Sequence, residues 1–161
     1  MGVLVRKTAL GCVLAITMAL GLAGAAQAAW FGVGSLANGR YNHTATLLKD
    51  GRVLVVGGND GSPLSSAQIY DPAANSWSNT ASMGVARTGL AAVLLDSGKV
   101  LVAGGKVPGE ADYSRSAEVY DPATNAWTAV GAMATGRYQP TMTLLADGRV
   151  LVAGGAGGGA A

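Results

Sequence analysis

Trp30, Trp77 and Trp127 are the only tryptophans in the chain, and they stand 47 and 50 residues apart. Arg40, Arg87 and Arg137 follow them at a constant offset of ten. The pairs Gly57-Gly58, Gly104-Gly105 and Gly154-Gly155 advance by the same two steps. Self-similarity at such a period means repeated supersecondary units, each of which buries its apolar faces only against a neighbour. The repeated residues themselves read as scaffold, so function is to be sought in the segments between them.

Each unit has the same internal order. In the first, Thr44 to Leu48 is a short apolar run, and Asp50-Gly51 is a hairpin turn of residues that tolerate positive φ. Arg52 to Val56 is a β-branched run ending at the double glycine. A polar loop leads to Ala67–Tyr70, then to the turn Asp71-Pro72, then to a segment from Asn75 to Ser78 that carries Trp77. Four short strands with turn signals between them predict an antiparallel four-stranded sheet. The second unit repeats this with Ala92 to Leu95, Ser97-Gly98, Lys99 to Ala103, Ala117 to Tyr120, Asp121-Pro122 and Trp127. The loop between the double glycine and the tyrosine is three residues longer in the second unit, which marks it as exposed surface.

The first residues belong to a different kind of segment. Arg6 and Lys7 precede an apolar run from Thr8 to Ala25, and Ala26-Gln27-Ala28 offers small residues where a signal peptidase cuts. This order predicts a signal-peptide helix over 1–28. An uncleaved membrane anchor is the alternative, since the run is just long enough to span a bilayer. Cleavage after Ala28 leaves 133 residues with nine basic and nine acidic side chains, so the basic balance belongs to the leader. No argument for nucleic acid or for an anionic membrane surface survives that correction. Cys12, the sole cysteine, leaves with the leader, so the exported part relies on packing without disulfides.

The period and the four-strand unit together predict an all-β fold, a β-propeller of antiparallel blades. Its blades span 37–83 and 84–133, with a half blade over 134–161. Trp30 to Leu36 reproduces the spacing of Trp77 to Met83, so 29–36 reads as an orphan fourth strand. One strand, two blades and half a blade are fewer than a closed propeller needs, and the expectation is a partial propeller. Its uncovered blade faces would favour self-association, aggregation or partial unfolding.

Leu47-Leu48-Lys49-Asp50-Gly51-Arg52-Val53-Leu54-Val55-Val56-Gly57-Gly58, with Tyr70-Asp71-Pro72 and Trp77 downstream, resembles the kelch repeat. The version in exported bacterial proteins and in the galactose oxidase-type propeller is the most similar, and the resemblance covers essentially everything after Ala28. It implies four-stranded blades whose inter-strand loops form a binding face. The family spans adhesion, scaffolding, carbohydrate-related and a few oxidase functions, so the resemblance fixes fold more firmly than function.

A galactose oxidase-like copper site would need two histidines, two tyrosines and a cysteine joined to one tyrosine. After the leader the chain has one histidine, His43, and no cysteine, so no copper site, other metal or cofactor is expected within these residues. His43 itself reads as a hydrogen-bonded residue opening an inner strand, with a ligand-contacting or proton-transferring side chain as the alternative. Gly155 to Ala160 fits a dinucleotide-binding glycine pattern, but no helix can follow it to hold a pyrophosphate. Asn42-His43-Thr44 is a glycosylation sequon.

Two sets of binding candidates remain. Arg40, Arg87 and Arg137 each precede the first strand of a unit, where a ring of guanidinium groups could hold carboxylates or sugar hydroxyls. Their recurrence in register favours a repeated salt bridge or backbone contact that ties blade to blade. The second set breaks the repeat: Asn59 and Asp60 after the first double glycine, and Lys106, Glu110, Asp112, Tyr113 and Arg115 after the second. Polar, mutually different residues on one predicted edge suit a glycan or protein ligand. The sequence therefore predicts a secreted, periplasmic or cell-surface binding module with no catalytic residues of its own. Membrane contact would come only through an uncleaved leader. The alternative is a carbohydrate-active or galactose oxidase-like enzyme whose catalytic residues lie beyond Ala161.

Overall fold

The computed structural model describes residues 32–157. The expected signal-peptide helix over 1–28, Trp30 and the last four residues lie outside that range. Among the described residues there is no helix long and apolar enough to cross a membrane.

The first repeat folds as β1 (Thr44–Leu47), β2 (Val53–Val56), β3 (Ala67–Asp71) and β4 (Ser76–Thr80), a four-stranded sheet in sequence order. The second forms β5 (Ala91–Leu94), β6 (Val100–Ala103), β7 (Ala117–Asp121) and β8 (Ala126–Val130) in the same order. All pairings are antiparallel, and equivalent residues pair: Tyr70 faces Trp77 and Tyr120 faces Trp127. The third repeat contributes β9 (Arg137–Tyr138), the hairpin β10 (Thr141–Leu144) and β11 (Val150–Ala153), and β12 (Ala156–Gly157), which pairs with β9. The fold is all-β, with four-stranded antiparallel blades arranged as part of a propeller. First strands stand side by side, β1 against β5 and β5 against β10.

Turn chemistry explains where strands stop. Leu48 N–H donates to Arg52 O at 2.8 Å around Gly51, whose φ is 86°. Arg52 belongs to this turn rather than to β2, because its guanidinium folds back on Asp50 at 2.7 Å. Arg149 does the same with Asp147 at 2.7 Å. Asn75 likewise lies outside β4, because its φ of 48° is left-handed and ends the turn that Asp71 Oδ1 caps by accepting from Ala73 N–H. The Tyr70 and Tyr120 rings tilt against Trp77 and Trp127, each with centroids 5.0 Å apart.

The core lies between the first two sheets and includes Leu54, Val56, Met83, Leu90, Val100, Val102 and Tyr120. Burial of equivalent leucines falls along the chain: Leu54 is 0% exposed, whereas Leu151 is 52% exposed. That gradient follows from a repeat whose faces are covered only by adjacent repeats.

Tryptophan also links repeats. Trp127 Nε1 donates to Ala81 O at 2.7 Å, and Trp77 Nε1 donates to Gly34 O at 2.6 Å. Ala81 and Gly34 each follow a tryptophan by four residues, so the register extends to the start of the described chain. Residues 32–36 nevertheless form no strand. The glycine-rich segment after β11 pairs through Ala156 and Gly157 with Tyr138 and Arg137.

Candidate functional site

The three repeated arginines occupy one structural role. Arg40 Nη1 donates to Gly57 O at 3.1 Å, Arg87 Nη1 to Gly104 O at 3.1 Å, and Arg137 Nη1 to Gly154 O at 2.7 Å. Each bond spans 17 residues and stays within its own repeat. Arg40 and Arg87 also grip the segment before the third strand, donating to the carbonyl and hydroxyl of Ser66 and of Ser116. The side chains thus brace one blade internally. The tie between blades comes from the arginine backbone instead: Arg87 O accepts from Gly58 N–H at 3.0 Å, and Arg137 O from Gly105 N–H at 2.8 Å. This explains the double glycine. A Cβ on Gly57 or Gly104 would stand 2.8 Å or 2.6 Å from those carbonyl oxygens.

The middle arginine is the most enclosed. Arg87 is 0% exposed and pairs with buried Glu118 at 3.0 Å. Burial lowers its pKa, and the Glu118 carboxylate opposes that shift. Glu118 also accepts from the backbone N–H groups of Gly84 and Val85. The first repeat carries Gln68 at this position, and it bonds Asn79 instead. A ligand has no access to the Arg87 guanidinium. Arg40 is half-buried, with its pKa lowered by burial and partly restored by Asp60.

The residues that break the repeat collect elsewhere. The β6–β7 loop, residues 104–116, carries Lys106, Glu110, Asp112, Tyr113 and Arg115. Gly104 and Gly105 start it with φ values of 73° and 93°. Lys106 Nζ then closes it, donating to Glu110 O at 2.8 Å and Ala111 O at 3.0 Å. Ser114, 1% exposed, pins the far end through its N–H to Gly105 O at 2.9 Å and its hydroxyl to Ser116 Oγ at 2.8 Å. The loop is further seated on the third repeat. Gly136 lies so close to Tyr113 O that any Cβ would collide with it, and the Tyr113 ring stacks on Tyr138, with centroids 5.2 Å apart and planes at 22°.

Two cavities share Asp112 and Tyr113. One, of about 410 Å³, is lined by Glu110, Ser114, Arg115, Ser116, Ala132 and Gly136 in addition to that pair. The other, of about 500 Å³, adds Thr88, Lys106, Ala111, Tyr138 and Gly157. Both fall within the roughly 300–1,000 Å³ of small-molecule sites. Asp112 is exposed and enters none of the four ion pairs among the described residues. Arg115 reaches only a backbone carbonyl, Ala134 O at 3.5 Å.

Five of the ten sequence candidates, Lys106, Glu110, Asp112, Tyr113 and Arg115, thus border this pair of cavities. Asn59 and Asp60 border neither. Asn59 Oδ1 shapes its own turn by accepting from Gly61 N–H at 2.7 Å, and Asp60 accepts from Asn38 Nδ2 at 3.5 Å. Sequence reasoning passed over Tyr138 and Gln139 and read Asn42 only as part of a glycosylation sequon. Asn42 Nδ2 donates to Tyr138 OH at 3.1 Å, and Gln139 Nε2 donates to Asn42 Oδ1 at 3.2 Å, joining the first and third repeats. Gly89 sits between them, where a Cβ would collide with the Tyr138 ring. The signal was available: Asn42, Gly89 and Gln139 all stand two residues after the repeated arginine and all differ. His43 is exposed beside Gly58. Among the described residues no group of three or more His, Cys, Asp or Glu side chains could hold a metal ion.

An all-β chain of four-stranded blades, with a polar cavity pair where one blade's long loop meets the next repeat, defines a propeller-type module. The Kelch motif matches residues 39–84 and 87–134, more than half of the chain, and the protein belongs to the kelch-repeat family. Among solved structures it is similar to a fungal alcohol oxidase of the AA5 family in complex with copper, at 29% identity and a TM-score of 0.48. That match covers 55% of this chain and 18% of the oxidase, so the chain spans under a fifth of the oxidase's length. No curated protein sequence matches the chain.

Proposed function

We propose that this protein is an exported kelch module that binds a protein or carbohydrate ligand through the β6–β7 loop of its second blade. The observation that carries the reading is the cavity pair around Asp112 and Tyr113. It is built from residues that break the repeat, on a loop anchored at Gly105, Gly136 and Tyr138. Rigid scaffolds that present variable loops are a common way for repeat folds to bind. Export is supported by Arg6, Lys7, the apolar run and Ala26-Gln27-Ala28. It places the module in the periplasm, on the cell surface or outside the cell.

Two measurements test this reading. Mass spectrometry of the chain recovered from an exporting bacterial host should show an N-terminus at Ala29, and recovery only at full mass would refute export with cleavage. Glycan and secreted-protein arrays probed with wild type and Tyr113→Ala should show ligands lost in the variant. Ligands retained unchanged by Tyr113→Ala would place binding elsewhere.

A further inference from the structure

The charge and hydrogen-bonding inventory of the two cavities narrows the ligand. In the larger one, the Asp112 carboxylate is balanced by the Lys106 ammonium, two of whose three donors are spent on Glu110 O and Ala111 O. A cationic ligand there would meet Lys106, and an anionic one would meet Asp112. In the smaller one, Glu110 and Asp112 stand with Arg115. Across both, the aliphatic lining amounts to Ala111 and Ala132, with no pocket for a Leu, Phe or Trp anchor of the kind that dominates peptide docking. The strand residues in the lining, Tyr138 of β9 and Gly157 of β12, belong to two-residue strands that pair with each other, a short edge for an added peptide strand.

What remains is a dense set of hydroxyl-matching groups. Asp112 and Glu110 accept, Arg115 donates, and the Tyr113 hydroxyl does both, whereas the Ser114 and Ser116 hydroxyls are engaged with each other and with Arg87. The tyrosine pair supplies ring surface, against which the C–H face of a sugar packs. A vicinal diol satisfies a carboxylate and a guanidinium at once, because each hydroxyl donates to one and accepts from the other. We infer that the paired cavities bind a neutral saccharide chain, with consecutive sugar units on the two cavities and Asp112 and Tyr113 at their junction. This rests on the loop-face reading above and commits it to one of its two ligand classes.

The test uses the full exported chain with β-linked trimers of glucose, galactose and N-acetylglucosamine, the corresponding monosaccharides, and one sulfated trimer. Binding is read by calorimetry, and by NMR amide shifts of residues 110–116 and Tyr138. At least one neutral trimer should bind, more than about tenfold more tightly than its monosaccharide, because the second cavity adds contacts. Asp112→Asn and Tyr113→Ala should each weaken it by about tenfold or more, while Asp60→Asn leaves it unchanged. Shifts should be confined to the named residues. A monosaccharide that binds as tightly as the trimer overturns the two-unit arrangement. Preference for the sulfated trimer, or shifts elsewhere, overturns the site chemistry. If no trimer binds while an array protein is captured and then lost in Tyr113→Ala, the saccharide inference fails and the loop-face reading stands. If no ligand of either class depends on Tyr113, both fail.

Discussion

Replacing the three repeated arginines one at a time by methionine measures how far equivalent positions share a role. Methionine keeps the apolar stem and removes the charge and all donors. Arg87 makes four hydrogen bonds between 2.9 and 3.1 Å, to Gly104 O, Ser116 O, Ser116 Oγ and Glu118 Oε1, with no solvent exposure. Its loss strands a buried carboxylate, and breaking such a pair costs about 3–5 kcal/mol. Against a whole-domain stability of about 5–15 kcal/mol, that is a large fraction. With a urea slope near 2 kcal/mol/M, the midpoint of Arg87→Met should fall by about 2 M. Arg40 grips three carbonyls and one hydroxyl but leaves no carboxylate behind, because Gln68 replaces the glutamate. Its variant should lose about 1–3 kcal/mol, the range of a charged hydrogen-bond donor. Arg137 has one side-chain bond among the described residues, exposed, and should lose about 1 kcal/mol or less. The double variant Arg87→Met/Glu118→Leu should recover part of the loss, since neither charge is left alone. Urea unfolding followed by tryptophan fluorescence and circular dichroism gives all four values. Equal losses at the three positions, or Arg137→Met as the most damaging, would refute the internal-brace argument.

Three further outcomes follow from the same geometry. Gly104→Ala meets both positive φ and a carbonyl 2.6 Å away, whereas Gly154→Ala meets positive φ with nothing within 4 Å among the described residues. The first should lose about 2–5 kcal/mol and the second about 1–2, and equal thermal shifts would contradict the close-approach reading. Asp50, Asp121 and Asp147 are held below the ordinary carboxylate range, chiefly by side-chain hydrogen bonds from Arg52, Lys99 and Arg149. Folded values below the unfolded one of about 3.9 mean that their contribution is present above that pH and is lost as pH falls through the folded values. The melting temperature should therefore fall more steeply below about pH 4 in wild type than in the triple Asp→Asn variant, and parallel declines would refute this. Leu151→Lys, on a strand whose outer side has no partner among the described residues, should reduce any concentration-dependent association seen by sedimentation. Unchanged sedimentation would remove β11 as the self-association surface.

The blades were legible because their determinants are local. Asp-Gly and Ser-Gly turns, β-branched runs and the Tyr…Trp spacing each act within a dozen residues, and the 47- and 50-residue steps repeat them. Several strand ends shifted by a residue: β2 begins at Val53, with Arg52 reaching back to Asp50, and β6 begins at Val100, with Lys99 reaching across to Asp121. The role of the arginines was half legible. Recurrence showed that they belong to the scaffold, but a guanidinium bracing its own blade and a carbonyl bracing the next look identical in one dimension. Only the close approach at Gly57 and Gly104 separates the two.

The candidate site divides along the same line. The β6–β7 loop announced itself by departing from its counterpart after Gly58, a comparison that needs only the register. Tyr138 and Asn42 did not, because they are brought together across 96 residues and their chemistry depends on a residue that is absent. Gly89 is the middle member of the series Asn42, Gly89, Gln139, and its backbone continues the chain Gly89 N–H to Asn42 O and Gln139 N–H to Gly89 O. By lacking a side chain, it leaves the space in which Tyr138 lies, and so fixes the ring on which Tyr113 stacks. The position that keeps the repeat in backbone and abandons it in side chain shapes one wall of the cavity. A non-glycine residue at 89 would displace the Tyr138 ring without touching the loop that carries the sequence candidates.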